Sequence, residues 1–137
     1  MGKLKKVKKT KVKSLRYWQK RCDKQIQEIG RIMYDKCLIC GGEYSCLHHF
    51  VKVSQSTELR YSLQNLIPIC NRCHCSIHQG KNDMVTGQII VIKGINWLTD
   101  LNILRKAGIG KYYGRQYYEK MFNLLKLLTP YVTTPKN

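Results

Sequence analysis

The chain has 137 residues, and with 25 Lys or Arg against 8 Asp or Glu its formal charge is +17. This excess excludes a strongly cationic partner and favours a polyanion, either nucleic acid or an anionic membrane surface. Hydrophobic residues make up 43% of the sequence, so the chain can bury a core, and its length suits one compact domain.

The first 14 residues contain seven Lys and no acidic residue. We interpret residues 1–14 as a disordered basic arm on the DNA backbone, which gains affinity by counterion release; a solubilising tail is the alternative. No apolar stretch follows these basic residues, so no secretory signal is expected. No stretch approaches the roughly 20 apolar residues of a spanning helix either. We therefore expect no membrane partner and a cytoplasmic location, in a bacterial or phage-infected host cell.

A single domain is predicted over residues 15–130, followed by a tail at 131–137. It starts with an amphipathic helix that Ser14 can cap and that ends near Asp35. Basic residues avoid the apolar stripe of this helix, so its solvent side is positive, and Cys22 is expected in the core rather than at a metal. The stripe recurs at three- and four-residue steps: Leu15, Trp18, Cys22, Ile26, Ile29 and Met33.

Three further elements are predicted in the C-terminal part. Residues 84–95 contain a β-branched run after a Thr86-Gly87 turn, which indicates a strand or hairpin at a sheet edge. A short helix follows from Trp97 to Lys106. The last helix packs on the first one, and its tyrosines are expected to pack rather than to stack on bases. The residues predicted on its apolar face are Tyr113, Tyr117, Met121, Leu124 and Leu128.

Two CxxC pairs predict a metal site of four thiolates. Seven cysteines is an odd number, and without an export signal a disulfide framework is not expected. Four thiolates in a tetrahedron are the geometry of structural zinc, whereas two redox motifs would need a thioredoxin-like context that neither pair has. Cys46 and Cys75 receive no role. The predicted zinc ligands are Cys37, Cys40, Cys70 and Cys73.

All four histidines of the chain lie within 31 residues. His74 and His78 are four residues apart, so on a helix their rings share a face and can chelate one ion, while Cys73 lies about 100° away and can face the zinc. His48 and His49 are neighbours, which point to opposite faces of a strand. One of them can therefore be a ligand while the other is free to take a proton.

These residues resemble the HNH endonucleases, a ββα-metal nuclease family, over residues 37–78. The matching pieces are CLIC, LHHF and NLIPICNRCH, with Asn65 sixteen residues after His49. The resemblance implies an α+β fold with a ββα-metal, treble-clef-like core at 37–80 around a structural zinc, flanked by N- and C-terminal helices. The three-histidine variant is similar to the colicin-type nucleases. Most HNH members have Asp in place of His48, and imidazole suits transition metals better than carboxylate does.

By this resemblance the chain is an endonuclease that hydrolyses DNA phosphodiester bonds to 5′-phosphate and 3′-hydroxyl ends. His49 is then the general base, and Asn65 holds the loop that orients it. The catalytic divalent ion is Mg²⁺, Mn²⁺, Ni²⁺ or Zn²⁺, apart from the structural Zn²⁺. One such centre cuts one strand, so double-strand cleavage needs a dimer or two visits. The ligands implied for the catalytic ion are His48, His74 and His78.

A looser resemblance reaches the phage NinG-type recombination proteins, which are linked to branched-DNA processing. It is carried by Tyr17-Trp18, CLICGG, His49-Phe50, Leu59-Arg60-Tyr61 and the CxxC pairs. It implies nicking or branched-DNA cleavage in phage DNA recombination.

Two other functions stay open. A zinc-stabilised, basic DNA-binding module without catalysis explains the charge and the cysteines, but not four histidines at nuclease spacing. A structural zinc domain that recruits proteins leaves the +17 charge without a purpose. Lys52 and Arg60 are either phosphate contacts or solvated charges.

Overall fold

The computed structural model describes residues 10–132, which form a mainly helical α+β fold. Two strands, β1 (Cys46–His49) and β2 (Leu66–Ile69), make one antiparallel sheet, and this confirms the predicted class. No helix within these residues is both long and apolar enough to cross a membrane. The helices are α1 (Leu15–Met33), α2 (Asn71–Ser76), α3 (Asn82–Lys93), α4 (Ile95–Ala107) and α5 (Arg115–Leu128).

The predicted N-terminal arm and C-terminal tail lie largely outside the described part of the chain, at residues 1–9 and 133–137. Residues 10–14 are exposed and belong to no helix or strand. The Ser14 hydroxyl oxygen then accepts from the Tyr17 amide at 3.2 Å, so it caps α1 as predicted.

α1 and α5 pack on each other around the largest hydrophobic cluster. On α1 the buried side chains are Cys22, Ile26 and Ile29, which confirms the predicted stripe. On α5 the predicted face is partly wrong: Leu124 and Leu128 are about half-exposed, and Tyr118, Phe122 and Leu125 are buried instead. The buried stripe of α5 is thus displaced by one residue, about 100° around the helix, from the predicted one. The two stripes have nearly the same spacing, so the sequence pattern does not distinguish them.

The sheet is completed on one side by α1 rather than by a third strand. Leu47 of β1 lies opposite Pro68 of β2 and turns its backbone polar groups away from that strand. The Gln27 side chain of α1 satisfies both groups, because its Oε1 accepts from the Leu47 amide at 3.0 Å and its Nε2 donates to the Leu47 carbonyl at 3.1 Å. On the outer side of β2 the Leu38 amide donates to the Pro68 carbonyl at 2.9 Å. Both edges are therefore covered.

The strand or hairpin predicted for residues 84–95 is wrong, since this segment is the helix α3. Val85 and Ile89, one helical turn apart, are buried against Ile67 and Ile69 of β2, whereas Val91 is exposed. A β-branched run is a weak preference, and burial of a helical stripe on the sheet overrides it.

α4 is the helix predicted from Trp97 to Lys106, and it packs on the loop between the strands. Leu101 is buried with Val51 and Leu59 of that loop. The Trp97 indole N–H donates to the Gln64 carbonyl at 2.9 Å, and its ring meets Phe50 edge-on at 4.8 Å. These contacts hold α4 beside the end of β1.

Candidate functional site

The four predicted zinc ligands converge beside the end of β2. Their sulfur atoms all lie within 4.8 Å of one another, and those of Cys40 and Cys70 are 3.5 Å apart. Two thiolates on one tetrahedral zinc stand roughly 3.8 Å apart, so the spacing fits. The group can therefore hold a metal ion, which confirms that part of the prediction. Its members are Cys37, Cys40, Cys70 and Cys73.

Backbone turns aim these sulfurs at a common point. Gly41 adopts a φ of 70°, a left-handed conformation that suits glycine, and this brings the Gly42 amide within 3.4 Å of Cys40 Sγ. The hydrogen bond from Gly42 is the main cause that lowers the pKa of the Cys40 thiol to about 6. At the start of α2 the Cys73 amide donates to Cys70 Sγ at 3.4 Å. Cys40 is thus favoured as the thiolate, the form that binds metals.

Three of the four histidine rings lie side by side on one cavity wall. His48 of β1 is 5.6 Å from His74 of α2, and His74 is 4.9 Å from His78, measured between ring centroids. His78 lies in the segment Ile77–Lys81, where the helix continues past α2 before it kinks at Gly80. The structure therefore brings His74 and His78 onto one face, as their spacing predicts.

The separations of these rings can be compared with those of imidazoles that share an ion. With nitrogens about 2.1 Å from the metal, two such rings have centres roughly 5 Å apart, which both observed pairs match. Within residues 10–132, however, the cysteines are the one group of His, Cys, Asp or Glu whose candidate ligand atoms converge. The two adjacent pairs of rings are therefore at ligating separation, but the candidate ligand atoms of the three histidines do not converge as the cysteine sulfurs do.

The histidine cluster favours neutral imidazoles. Burial, and then the neighbouring His74, lowers the pKa of His48 to about 4. Burial also lowers the pKa of His74, with a further contribution from His78. Because a metal binds the unprotonated ring, these neighbours keep His48 and His74 in the form that a ligand requires.

His49 has different neighbours from His48, as expected for adjacent residues of a strand. Its Nε2 lies 2.9 Å from the Arg60 carbonyl oxygen. A carbonyl can only accept, so Nε2 carries the hydrogen and the neutral ring keeps its lone pair on Nδ1. Burial lowers the pKa of His49, against the opposing effect of the bond to Arg60. The unprotonated nitrogen of the neutral ring is thus Nδ1.

Arg60 is largely buried and paired with a carboxylate, so it is not simply a solvated charge. Its guanidinium donates to both oxygens of Asp23 on α1, at 3.0 and 2.7 Å. The Tyr61 hydroxyl also donates to Asp23, at 2.9 Å. These bonds tie the segment that carries the His49 acceptor to α1.

Asn65 is fully buried and holds the loop between the strands. Its Oδ1 accepts from the Val51 amide at 2.7 Å, and its Nδ2 donates to the carbonyls of Val51 at 3.0 Å and Leu59 at 3.2 Å. The side chain therefore closes the loop from 51 to 59, directly after His49 and Phe50.

The histidines face a cavity of about 1110 Å³ whose opposite wall comes from α3 and α4. Sequence reasoning missed this wall. Its polar residues are four apart on α3 and three apart on α4. This spacing would have indicated the wall if residues 84–95 had been predicted as a helix. Lys52 also lines the cavity, and none of the described lining residues is Asp or Glu. The missed residues are Asn82, Thr86, Asn102 and Arg105.

The remaining cysteines lie in three different environments. Cys22 is in the core, as predicted, and Cys75 is exposed. Cys46 is half-buried on the same face of β1 as His48, with its sulfur 3.8 Å from His74 Nδ1. No signal in the sequence pointed to that neighbour, because the contact depends on the strand–helix packing.

Comparison with known proteins gives limited overlap. The chain is 33% identical over 56 residues to a protein described as a mitochondrial DNA mismatch repair protein, mutS homolog, from Sarcophyton glaucum. The match covers 38% of this chain, which spans only 6% of that protein. No family model and no solved structure matches the chain.

Proposed function

We propose that this chain is a metal-dependent HNH-type endonuclease that hydrolyses DNA phosphodiester bonds, by nicking or by cutting branched DNA in phage recombination. The observation that carries the proposal is that His49 has different neighbours from the other three histidines. His48 and His78 each lie at ligating separation from His74, whereas His49 turns its Nε2 to the Arg60 carbonyl and keeps its lone pair on Nδ1. The order β1, loop, β2, α2 agrees with a ββα-metal core.

His48, His74 and His78 are the residues that hold the catalytic divalent ion. Such an ion would supply positive charge beside the phosphate, and neither three neutral imidazoles nor the described lining residues bring a negative charge to offset it. Imidazole ligands favour a transition metal over Mg²⁺.

His49 acts as the general base in this function. Its Nδ1 takes a proton from a water molecule, whose oxygen attacks phosphorus while the bond to the 3′ oxygen breaks. The leaving 3′ oxygen takes a proton from solvent water, so the products are a 5′-phosphate and a 3′-hydroxyl end. Arg60 fixes the tautomer through its carbonyl, and Asn65 fixes the loop that follows the base.

The four cysteines would hold a structural zinc, and Cys70 and Cys73 would then fix the start of α2, and thereby His74, relative to the sheet. The charge of +17 supports a polyanionic substrate, and the partial relative from Sarcophyton glaucum is named for DNA repair. Both observations agree with DNA as the substrate.

The test is cleavage of plasmid DNA with Mg²⁺, Mn²⁺, Ni²⁺ or Zn²⁺ by the full chain and by His49→Ala. A positioned general base contributes about 10²–10⁴-fold, so the variant should cut at least about a hundredfold more slowly while it still binds DNA. Gln116→Ala, exposed on α5, is the control and should cut normally. A melting curve checks that His49→Ala is folded.

Two results would overturn this function. If His49→Ala cleaves DNA at the normal rate, His49 is not the general base. If the protein binds DNA but cleaves it with none of the metals, it is a zinc-stabilised DNA-binding module. That module is favoured by one observation, namely that the histidine ligand atoms do not converge as the cysteine sulfurs do.

A further inference from the structure

A second, smaller cavity adjoins the histidine cavity. It has a volume of about 190 Å³ and lies between residues 54–57 of the interstrand loop and the end of α4. Arg105 and Gln55 line both cavities, so they stand at the boundary between the two. Among the described residues, no Asp or Glu lines the smaller cavity either. The boundary that the two cavities share therefore carries an arginine and no described carboxylate.

Arg105 is the dominant cation of this boundary. Its side chain is half-buried on α4, and within residues 10–132 it takes part in none of the ion pairs. Lys111 adds a second cation, but its Nζ lies 3.8 Å from the Glu58 carboxylate, which offsets part of its charge. Glu58 also accepts a hydrogen bond from the Tyr113 hydroxyl, so its carboxylate is bound by two residues that line the cavity. The uncompensated positive charge is thus that of Arg105.

The polar groups around Arg105 are donors suited to an oxyanion. Ser54 and Thr57 contribute hydroxyls from the loop. A guanidinium presents its N–H groups as a planar fork, which matches two oxygens of a phosphate. When one phosphate of a polynucleotide lies at the histidines, the neighbouring phosphates of the same strand lie close by. Each of these carries a negative charge that a cationic side chain can neutralise.

We propose that the smaller cavity is a second phosphate subsite, in which Arg105 binds a DNA backbone phosphate away from the scissile bond. The identity of the polymer rests on the proposed function, whereas the subsite itself does not require cleavage. Lys111 and the hydroxyls of Ser54 and Thr57 assist. The subsite positions the strand and reads no base, since backbone phosphates are the same in every sequence.

The test compares Arg105→Gln with Lys106→Gln, which removes the same charge from the next residue of α4 and lines neither cavity. Binding to a DNA duplex is measured over a range of salt concentrations without added divalent metal. Loss of one phosphate contact should reduce the slope of log affinity against log salt by about 1 for Arg105→Gln. Lys106→Gln should reduce it by less, and Arg105→Lys should restore most of the slope. Melting curves confirm that the variants fold.

A duplex with single neutral methylphosphonate linkages locates the contact. The wild type should lose affinity at one linkage position, and Arg105→Gln should be insensitive there while it keeps its sensitivity elsewhere. Equal salt slopes for Arg105→Gln and Lys106→Gln would overturn the subsite, even if the protein cuts DNA. An Arg105-dependent slope without any cleavage would support the subsite and defeat the nuclease function, so the two failures are distinguishable.

Discussion

At the scale of single residues, the histidine region is organised by buried polar groups behind it. Asn65 has no exposed surface, and both ends of its amide are used by the loop after His49. The Arg60 carbonyl determines which nitrogen of the neutral His49 ring carries the hydrogen, and Asp23 holds Arg60 from a distant helix. The resemblance to HNH nucleases indicated a role for Asn65. No pattern in the sequence predicted the Asp23–Arg60 pair, because the two residues are far apart in the chain.

Asn65→Asp should destabilise the protein strongly. Asp cannot donate to the carbonyls of Val51 and Leu59, and each buried unpaired acceptor costs about 1–3 kcal/mol. We expect a loss of about 3 kcal/mol or more, measured by urea unfolding. Asn123→Asp, on the exposed side of α5, makes the same chemical change without a buried partner and should be nearly neutral. Equal unfolding midpoints for the two variants would contradict this reading of Asn65.

At the scale of elements, α1 does more than cover the core. Gly30 allows it to approach β1 so closely that a Cβ atom there would lie 2.7 Å from Leu47 Cγ. That approach places Gln27 on the backbone of Leu47, so the helix takes the position of a third strand. The apolar stripe predicted the helix, but not that it would pair with a strand edge.

Gly30→Ala and Gly87→Ala should have opposite effects on stability. Both glycines lie inside helices, where Ala is favoured by up to about 1 kcal/mol. At Gly30 the new methyl group would overpack against Leu47, which costs about 1–3 kcal/mol, so a net loss is expected. At Gly87 no atom lies within 4 Å of the new Cβ, so a gain of about 0.5–1 kcal/mol is expected. Thermal unfolding measures both, and a stabilised Gly30→Ala protein would refute the close packing.

At the scale of the whole molecule, the two candidate metal regions share one short helix. Cys70 and Cys73 lie at the start of α2, His74 is the next residue, and α3 and α4 follow as the far wall of the cavity. Displacement of α2 would therefore disturb the cysteine cluster, the histidines and the cavity together. The sheet alone has two strands of four residues, which is too little to be stable by itself.

Removal of the metal from the cysteine cluster should unfold this region. Structural zinc contributes about 10–16 kcal/mol, as much as the net stability of about 5–15 kcal/mol of an ordinary domain. Cys37→Ser and Cys73→Ser should lose bound zinc and much of their circular dichroism signal. Cys75→Ser, at an exposed cysteine outside the cluster, should keep one zinc and the native spectrum. Metal analysis of the purified variants decides the matter, and a folded, zinc-loaded Cys37→Ser protein would exclude the four-cysteine site.

Features that depend on spacing along the chain were predictable from the sequence: the capped helix α1, the cluster of the two CxxC pairs, and the shared face of His74 and His78. The α+β class followed from the resemblance to the HNH nucleases. Tertiary structure decided the rest. The β-branched run at 89–92 forms a helix because Val85 and Ile89 find a partner surface on β2. The buried face of α5, the Asp23–Arg60 pair and the polar wall opposite the histidines likewise depend on which elements meet. Such contacts join residues distant in sequence, and no local periodicity encodes them.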